Sequence, residues 1–283
     1  MKEEREKIAI LGCGWLGLPL AESLLSKGYE IKGSTTSESK LDLLKNAGIS
    51  PFQIQLEAHQ IIGNIEEFLK ETDVLVIDIP PGLRREVSTS NEMTFVNKVK
   101  TLIPFIEKSG IPKVIFVSST SVYGDGFPIV EITEETKPNP DTESGKQLAI
   151  TETLLQSNPH FKTTVIRFGG LLGDDRHPIK FLAGRTNVEN PDAPVNMIER
   201  EDCIGIIEKI LKYSETSEQH DNWGETFNAV APQHPTRKAY YHKKAEIFNL
   251  PLPTFAEDSE SKGKIISSEK VETILGYSFQ KEI

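Results

Sequence analysis

The chain has 283 residues, of which 32 are lysine or arginine and 42 are aspartate or glutamate, giving a formal net charge of −10. An acidic chain repels phosphate backbones, so a general nucleic-acid-binding function is not expected. No apolar run reaches the roughly 18 residues of a membrane helix, and the charged start lacks the apolar stretch of a signal peptide. We therefore expect a cytoplasmic protein with no membrane or nucleic-acid partner.

The first half of the sequence alternates strand patterns with helix patterns. Short apolar runs predict strands over residues 7–11, 29–33, 73–79, 113–117 and 163–168. Apolar residues at helical spacing predict helices over residues 16–26, 38–46, 91–109 and 145–155. This alternation is typical of crossover helices on a parallel sheet, so it predicts a Rossmann-type, doubly wound α/β fold.

The alternation weakens beyond about residue 170, where proline, asparagine and charged residues increase. Helices are predicted there over residues 202–213, 237–248 and 268–275, with a polar loop over 214–222. The chain is thus predicted to hold a Rossmann domain over 1–170. A smaller substrate-binding lobe is predicted over 171–283, part of which returns to the sheet.

A glycine motif, GxGxxG, follows the first strand and opens the first helix. Gly12 makes the tight turn, Gly14 lets the backbone approach a pyrophosphate, and Gly17 lets helix and strand pack closely. The helix N-terminus faces the anion. This context favours a dinucleotide-binding site over a glycine turn that binds no ligand. Trp15 and Leu16, which lie between the second and third glycines, are expected to be part of that site.

The residues at the end of the second strand help to predict whether the dinucleotide is NAD or NADP. A carboxylate there binds the adenosine ribose of NAD, but this chain has Ser34, Thr35 and Thr36, and no acid before Glu38. These hydroxyls and the nearby Lys40 suit a 2′-phosphate, although no arginine is present. The sequence favours NADP over NAD and leaves NAD as the alternative.

Five further segments match one known family in order along the chain. They are the strand over 73–79, SSTSVYG at 118–124, Arg167-Phe168-Gly169-Gly170 with Gly173, Val195-Asn196-Met197-Ile198 with Asp202, and the tail over 264–276. Together with the glycine motif they resemble the extended short-chain dehydrogenase/reductases, the NAD-dependent epimerase/dehydratase family. The residues within these motifs are most similar to those of the atypical YeeZ-like subgroup.

The resemblance implies roles for several residues. Ser119 stands at the catalytic Ser/Thr position, four residues before the tyrosine of the YG pair, and Asn97 aligns with the catalytic helix asparagine. The cofactor is expected to contact Ser118, with its nicotinamide near Ser119 and near Pro80 and Pro81. The family's sugar-nucleotide substrates imply an anionic small-molecule substrate.

The catalytic pair of this family, Tyr-x-x-x-Lys, is absent. One alignment places Ser144 and Leu148 at its two positions, and another places Thr142 and Lys146 there. The tyrosine exchanges the hydroxyl proton during hydride transfer, and the lysine lowers its pKa and holds the ribose. Serine has no acidic phenol and leucine cannot bind a ribose hydroxyl, so a nonstandard mechanism is expected.

Three other side chains are candidates for chemistry. Tyr123 is a substitute acid or, more commonly in this family, a wall of the substrate pocket. Arg176 and His177 lie in a loop that the family uses near substrate, where they would bind an anionic group; the alternative is a solvated loop. The histidines and the two cysteines show no metal-ligand spacing, so no metal is expected.

Two hypotheses of different classes follow. The first is an oxidoreductase or epimerase-like enzyme acting on a sugar nucleotide or other anionic small molecule. The second is a non-catalytic NAD(P)-binding sensor or regulatory protein, which the missing Tyr/Lys pair favours. The helices over 91–109 and 145–155 resemble those that the family pairs in dimers, so a homodimer is a further hypothesis.

Overall fold

The computed structural model describes residues 6–82, 93–173, 176–216, 223–257 and 260–283. Its strands are β1 (Lys7–Leu11), β2 (Glu30–Thr35), β3 (Ser50–Gln53), β4 (Gln55–Leu56), β5 (Ile61–Ile62), β6 (Val74–Ile77), β7 (Lys113–Ser119), β8 (Glu131–Ile132), β9 (Lys162–Phe168), β10 (Gly170–Leu172), β11 (Met197–Glu199), β12 (Thr226–Ala229) and β13 (Ile265–Ile266). Its α-helices are α1 (Gly17–Ser26), α2 (Leu41–Asn46), α3 (Ile65–Leu69), α4 (Thr94–Ser109), α5 (Glu143–Gln156), α6 (Ile179–Leu182), α7 (Arg200–Thr216), α8 (Arg237–Ile247) and α9 (Glu269–Thr273).

Seven strands form one parallel sheet in the order β12-β9-β7-β6-β1-β2-β3. Strand β6 is the middle strand of the seven, and its neighbour β1 has Ile8 in register with Val74 of β6 on one side and with Ile31 of β2 on the other. Central strands of such a sheet are covered by helices on both faces and read as continuous apolar runs. The predicted Rossmann-type α/β fold is confirmed.

The core lies between this sheet and its helices. All four residues of β6 are fully buried, and so are Leu20 and Leu24 on α1 and Phe95 and Val99 on α4. The apolar residues of α1 and α4 recur at helical spacing, which places them on the face that covers the sheet. Burial of this face holds the crossover helices in place.

The predicted elements of the first half are found, with shifted ends. Helix α4 begins at Thr94, and Asn91, where the sequence predicted its start, lies outside the described residues. Four short elements were not predicted, because none has more than five residues and none gives a continuous apolar run: β3, β4, β5 and α3. Helix α7 continues to Thr216 into the predicted polar loop, whose residues 217–222 are also outside the described residues.

Two compact units are distinguished by their internal contacts. Unit 1 comprises Met1–Ser119, Glu143–Ile166 and Ile207–Thr226, and unit 2 comprises Thr120–Thr142, Arg167–Ile206 and Phe227–Ile283. Unit 1 contains most of the large sheet, and unit 2 contains the small parallel pairs β10–β11 and β8–β13. The units interleave along the chain, and the domain boundary at residue 170 stays a prediction.

Among the described residues, no helix combines the length and apolar character needed to cross a membrane.

Candidate functional site

The carboxyl ends of β1 and β6 mark the point where the order of the sheet reverses. From β1 the chain proceeds to β2 and β3 on one side, and it later enters β6 on the other side. Open α/β sheets bind ligands in the crevice at such a switch point. The glycine motif follows β1 and residues 78–81 follow β6, so the two segments lie side by side at this crevice.

Two glycines of the motif are required by the packing of the chain itself. Gly12 has φ +110°, and a Cβ on it would lie 2.3 Å from the carbonyl oxygen of Asp78. A Cβ on Gly17 would lie 2.2 Å from the carbonyl oxygen of Gly12. Both distances are shorter than atoms can approach, so no larger residue fits the tight turn or the helix–strand contact.

Gly14 differs, because the protein itself does not need a glycine there. Gly14 is exposed and its φ is not positive. A Cβ on Gly14 would meet only the carbonyl oxygen of Gly12, at 4.0 Å. A glycine in open space leaves its outer surface clear for a close approach by a ligand. This arrangement fits the pyrophosphate of a dinucleotide.

Helix α1 begins beside Gly14 without a capping side chain of its own. Leu16 occupies the N-cap position with no side-chain hydrogen bond, and the first turn contains no acidic residue. The side chain of Leu16 is buried in the core, so only its backbone can face a cofactor, while Trp15 is half-buried. The positive end of the helix dipole is therefore not neutralised from within the helix.

A carboxyl group from the neighbouring strand reaches this helix end. Asp78 accepts a hydrogen bond from the backbone N–H of Gly17, and burial raises the pKa of its carboxyl to about 7. Asp78 was not predicted as a site residue, because it falls within the apolar strand predicted over 73–79. The available signal was an ionisable residue directly after four buried apolar residues.

The residues at the end of β2 are already engaged within unit 1, with one exception. The Ser34 hydroxyl accepts a hydrogen bond from the backbone N–H of Gly12 at 3.0 Å, so it holds the glycine loop. The Thr35 hydroxyl accepts from the backbone N–H of Ser37 at 3.2 Å. Thr36 and Lys40 are exposed, and they remain available to a ribose or a 2′-phosphate.

The end of β7 packs against α5 through buried polar groups. The Ser118 hydroxyl donates to the Glu152 carboxylate at 2.5 Å, and Glu152 is 2% exposed. Gln147 accepts from the backbone N–H of Phe95 at 2.9 Å, and so satisfies a donor in the first turn of α4. These bonds fix α4 and α5 on the serine-rich strand, and they give Ser118 a structural role besides its predicted cofactor contact.

The other predicted residues of unit 1 lie on these elements. Ser119 at the end of β7, Asn97 on α4 and Pro81 after β6 are half-buried, and Pro80 is exposed. Each therefore presents some surface to a ligand. Their catalytic and cofactor roles stay predictions.

Neither alignment of the Tyr-x-x-x-Lys pair finds suitable geometry. Leu148 is 3% exposed and belongs to the core, while Ser144 is half-buried. In the other alignment Thr142 and Lys146 are both exposed, and Lys146 lies 4.0 Å from the Glu143 carboxylate. The nonstandard mechanism that the sequence predicts stays a prediction.

Tyr123 lies in a buried polar network of unit 2. Its hydroxyl donates to the Asn228 side-chain oxygen at 3.0 Å and accepts from Arg167, whose guanidinium stacks 5.0 Å from the ring centroid. Burial raises the pKa of Tyr123, although Arg167 partly opposes this. The phenol is thus held by internal partners, an arrangement typical of a structural wall.

Arg176 and His177 are neighbours in unit 2 with different surroundings. Arg176 is exposed, whereas His177 is buried, with Nδ1 accepting from the backbone N–H of Ile179 at 3.2 Å. This places the proton on Nε2, 3.2 Å from the Tyr240 hydroxyl. Burial lowers the pKa of His177 to about 4, so it is neutral and offers an anion no charge. Of the two predicted substrate contacts, only Arg176 is exposed, and its role stays a prediction.

Lys264 is a further residue of unit 2 to which the sequence analysis gave no role. Its Nζ donates to the Tyr123 carbonyl at 2.7 Å and to the Asp125 carboxylate at 2.8 Å. Since Lys264 directly precedes β13, these hydrogen bonds connect the start of that strand to the loop containing Tyr123 and Asp125. Across the described ranges, no three His, Cys, Asp or Glu side chains are grouped to hold a metal ion.

Comparison with known proteins places this geometry in a family. Residues 8–183 match the profile of the NAD dependent epimerase/dehydratase family. Protein YeeZ of Escherichia coli K12 is 35% identical over 277 residues, covering 97% of this chain and 96% of YeeZ.

Solved structures share the fold at low sequence identity. UDP-glucuronic acid 4-epimerase from Bacillus cereus, in complex with NAD, has a TM-score of 0.78 at 17% identity, over 98% of this chain and 92% of its own. UDP-glucose 4-epimerase from Thermotoga maritima, with UDP-glucose, has a TM-score of 0.74 at 16% identity, over 98% and 94%. The sequence matches and the glycine loop together establish that the chain belongs to the NAD dependent epimerase/dehydratase family.

Proposed function

We propose that unit 1 binds NAD(P), with the pyrophosphate over the loop from Gly12 to Gly17 and the nicotinamide near Pro80, Pro81 and Ser119. The observation that carries this proposal is the open surface of Gly14, which the packing of the protein does not explain. The N-terminus of α1, whose first turn contains no acidic residue, and the position of the loop at the switch point support it.

The test is a graded enlargement of residue 14. Gly14→Ala and Gly14→Val should leave the unfolding midpoint within about 2 °C of the wild type, because a Cβ meets only open space. They should weaken NADH binding by about tenfold and about 100-fold, measured by calorimetric titration, because the side chain occupies the pyrophosphate position.

Gly126→Val is the matched control, because Gly126 is also exposed and its nearest neighbour would lie 3.9 Å from a Cβ. It should bind NADH as the wild type does. Unchanged affinity in Gly14→Val, or no binding by cofactor-free wild-type protein, would show that the glycine loop is only a turn.

We propose a sugar nucleotide or another anionic small molecule as the substrate. The exposed Arg176 guanidinium can bind a phosphate or carboxylate through two parallel hydrogen bonds. The similar structures of MoeE5 and of the Thermotoga maritima epimerase both hold UDP-glucose, which supports this class. His177 is not part of the proposal, since its imidazole is buried and neutral.

We propose a redox reaction in which Ser119 and Asn97 contact the substrate. When bound, the nicotinamide supplies a hydride donor or acceptor. The half-buried Ser119 hydroxyl can hold a substrate hydroxyl or carbonyl oxygen, and Asn97 can orient it. Tyr123 can serve as the acid only if its hydroxyl leaves Asn228, so a solvent or substrate group must otherwise carry the proton.

A second candidate function is a non-catalytic NAD(P) sensor, which the buried Leu148 favours. An enzyme should lose turnover of a sugar nucleotide in Ser119→Ala, while cofactor affinity stays the same. A sensor should turn over no sugar nucleotide, yet change its mass in light scattering when NAD(P) is added. The same light-scattering measurement tests the predicted homodimer, which a monomeric mass would contradict.

We also propose that NADP(H) is preferred to NAD(H). No carboxylate stands at the end of β2, and the exposed Thr36 and Lys40 offer a hydroxyl and a positive charge to a 2′-phosphate. Ser34 and Thr35 add little to the preference, because their side chains are buried, at 2% and 8% exposed.

A further inference from the structure

The Asp78 carboxyl occupies the helix end that a dinucleotide would use. It accepts the N–H of Gly17, and its Oδ2 would lie 3.1 Å from a Cβ on that glycine. Its backbone is fixed as well, since the Asp78 N–H donates to the Leu11 carbonyl at 2.9 Å. The carboxyl therefore stays beneath the glycine loop, where it substitutes for the missing N-cap of α1.

The surroundings of this carboxyl favour its neutral form. Burial is the largest cause of its raised pKa, about 7, and the Gly17 N–H opposes it. Among the described residues of the glycine loop, Cys13 is the titratable group coupled to Asp78, and its own pKa is raised to about 12 by burial first and by Asp78 second. The thiol is thus uncharged near neutral pH, and Ser34 from β2 presents a hydroxyl to the loop.

We propose that Asp78 couples dinucleotide binding to proton uptake, so that the site takes NAD(P) with this carboxyl protonated. The inference rests on the proposed cofactor site. A pyrophosphate brings two negative charges to the helix end that Asp78 contacts, and a like charge in a partly buried site is strongly disfavoured. Asp78 is then a positioning residue that sets the pH range in which the cofactor binds.

The sign of the effect follows from linkage. Bound phosphates raise the pKa of the carboxyl further, so the complex holds more protons than the free protein above the free protein's pKa. Affinity is therefore full below that pKa and falls by up to about tenfold per pH unit above it. The fall ends at the higher pKa of the complex.

Calorimetric titration with NAD⁺ tests this coupling, because NAD⁺ has no group of its own that titrates near neutral pH. Each titration is run at about pH 6, 7 and 8 in two buffers of different ionisation enthalpy, which gives the number of protons taken up. The wild type should bind about tenfold more weakly at pH 8 than at pH 6, and should take up a fraction of a proton at pH 7.

Asp78→Asn keeps an acceptor for the Gly17 N–H and cannot ionise. It should bind with pH-independent affinity, at least as tightly as the wild type at pH 8, and take up no proton. Asp73→Asn is the matched control at the opposite end of β6, where the exposed Asp73 accepts from the Lys7 backbone N–H at 2.7 Å. It should keep the wild-type pH profile.

Three results would overturn the coupling. Wild-type binding that is independent of pH, without proton uptake, would refute it and leave the cofactor site intact. An Asp78→Asn protein with the wild-type proton uptake would assign the proton to another group. No binding of NAD⁺ or NADP⁺ at any pH would refute the site and the coupling together. If Asp78→Asn does not fold, Asp78→Ser, which also carries an acceptor and does not ionise near neutral pH, takes its place in the same titrations.

Discussion

The glycine loop and helix α5 lie in the same unit, but they have diverged from the family pattern to different degrees. The loop retains all three glycines, two for internal packing and one whose surface is open. In α5, neither alignment supplies the family's tyrosine–lysine pair, and Leu148, which one alignment places at the lysine position, belongs to the hydrophobic core. A cofactor pocket and the groups that use it for chemistry are thus separable, because each depends on different contacts.

The largest expected effect comes from placing a lysine at residue 148. Leu148→Lys places an unpaired ammonium at a position that is 3% exposed, so it should reduce the free energy of unfolding by at least about 3 kcal/mol. Leu148→Met keeps the apolar volume and should cost less than about 1.5 kcal/mol. Urea denaturation of the two variants measures the difference.

A stable Leu148→Lys protein would contradict this interpretation of α5. It would show that residue 148 can face a ligand, and the double variant Ser144→Tyr with Leu148→Lys would then be expected to gain ordinary family chemistry. Loss of stability in Leu148→Lys, but not in Leu148→Met, would confirm that α5 has been rebuilt as part of the core.

The sequence predicted the glycine loop because its signal is local. Three glycines within six residues, between a buried strand and a helix, specify a turn and a close approach to a ligand. The central strands were predictable for a similar reason, since burial on both faces produces uninterrupted apolar runs. The edge region from β3 to α3 has no such run, and it was missed.

Contacts between distant segments could not be predicted in this way. Gly17 and Asp78 meet only because β1 pairs with β6, and nothing near Asp78 in the sequence indicates that pairing. From the sequence alone, His177 is a candidate for binding an anion. In the structure both of its ring nitrogens are hydrogen-bonded, one to the Ile179 backbone and one to Tyr240. Burial and partners decide such roles, and both come from tertiary structure.

A smaller effect separates backbone conformation from packing in the glycine loop. Gly12 and Gly28 both have positive φ, +110° and +95°, but a Cβ on Gly28 has nothing within 4 Å. Gly28→Ala should therefore cost only the conformational strain, about 1 kcal/mol. Gly12→Ala adds overlap with the Asp78 carbonyl and should cost about 3 kcal/mol in urea denaturation. Equal losses in the two variants would show that the loop can relax away from β6.

The smallest effect concerns which dinucleotide the open surface receives. Lys40 is exposed, so its attraction for a 2′-phosphate is screened by solvent and should contribute no more than about 1 kcal/mol. Lys40→Ala should therefore weaken NADPH binding about fivefold at low salt and leave NADH binding unchanged. Lys45→Ala, another exposed lysine on the neighbouring helix α2, should change neither affinity.

Parallel titrations with NADPH and NADH distinguish the sources of this preference. Because NADH lacks the 2′-phosphate, an equal loss for both cofactors in Lys40→Ala would mean that the lysine acts through the fold of the loop. Tighter binding of NADH than of NADPH by the wild type would reverse the proposed preference. In that case the Thr36 hydroxyl would serve the ribose, and the absence of a carboxylate at the end of β2 would not select against NAD.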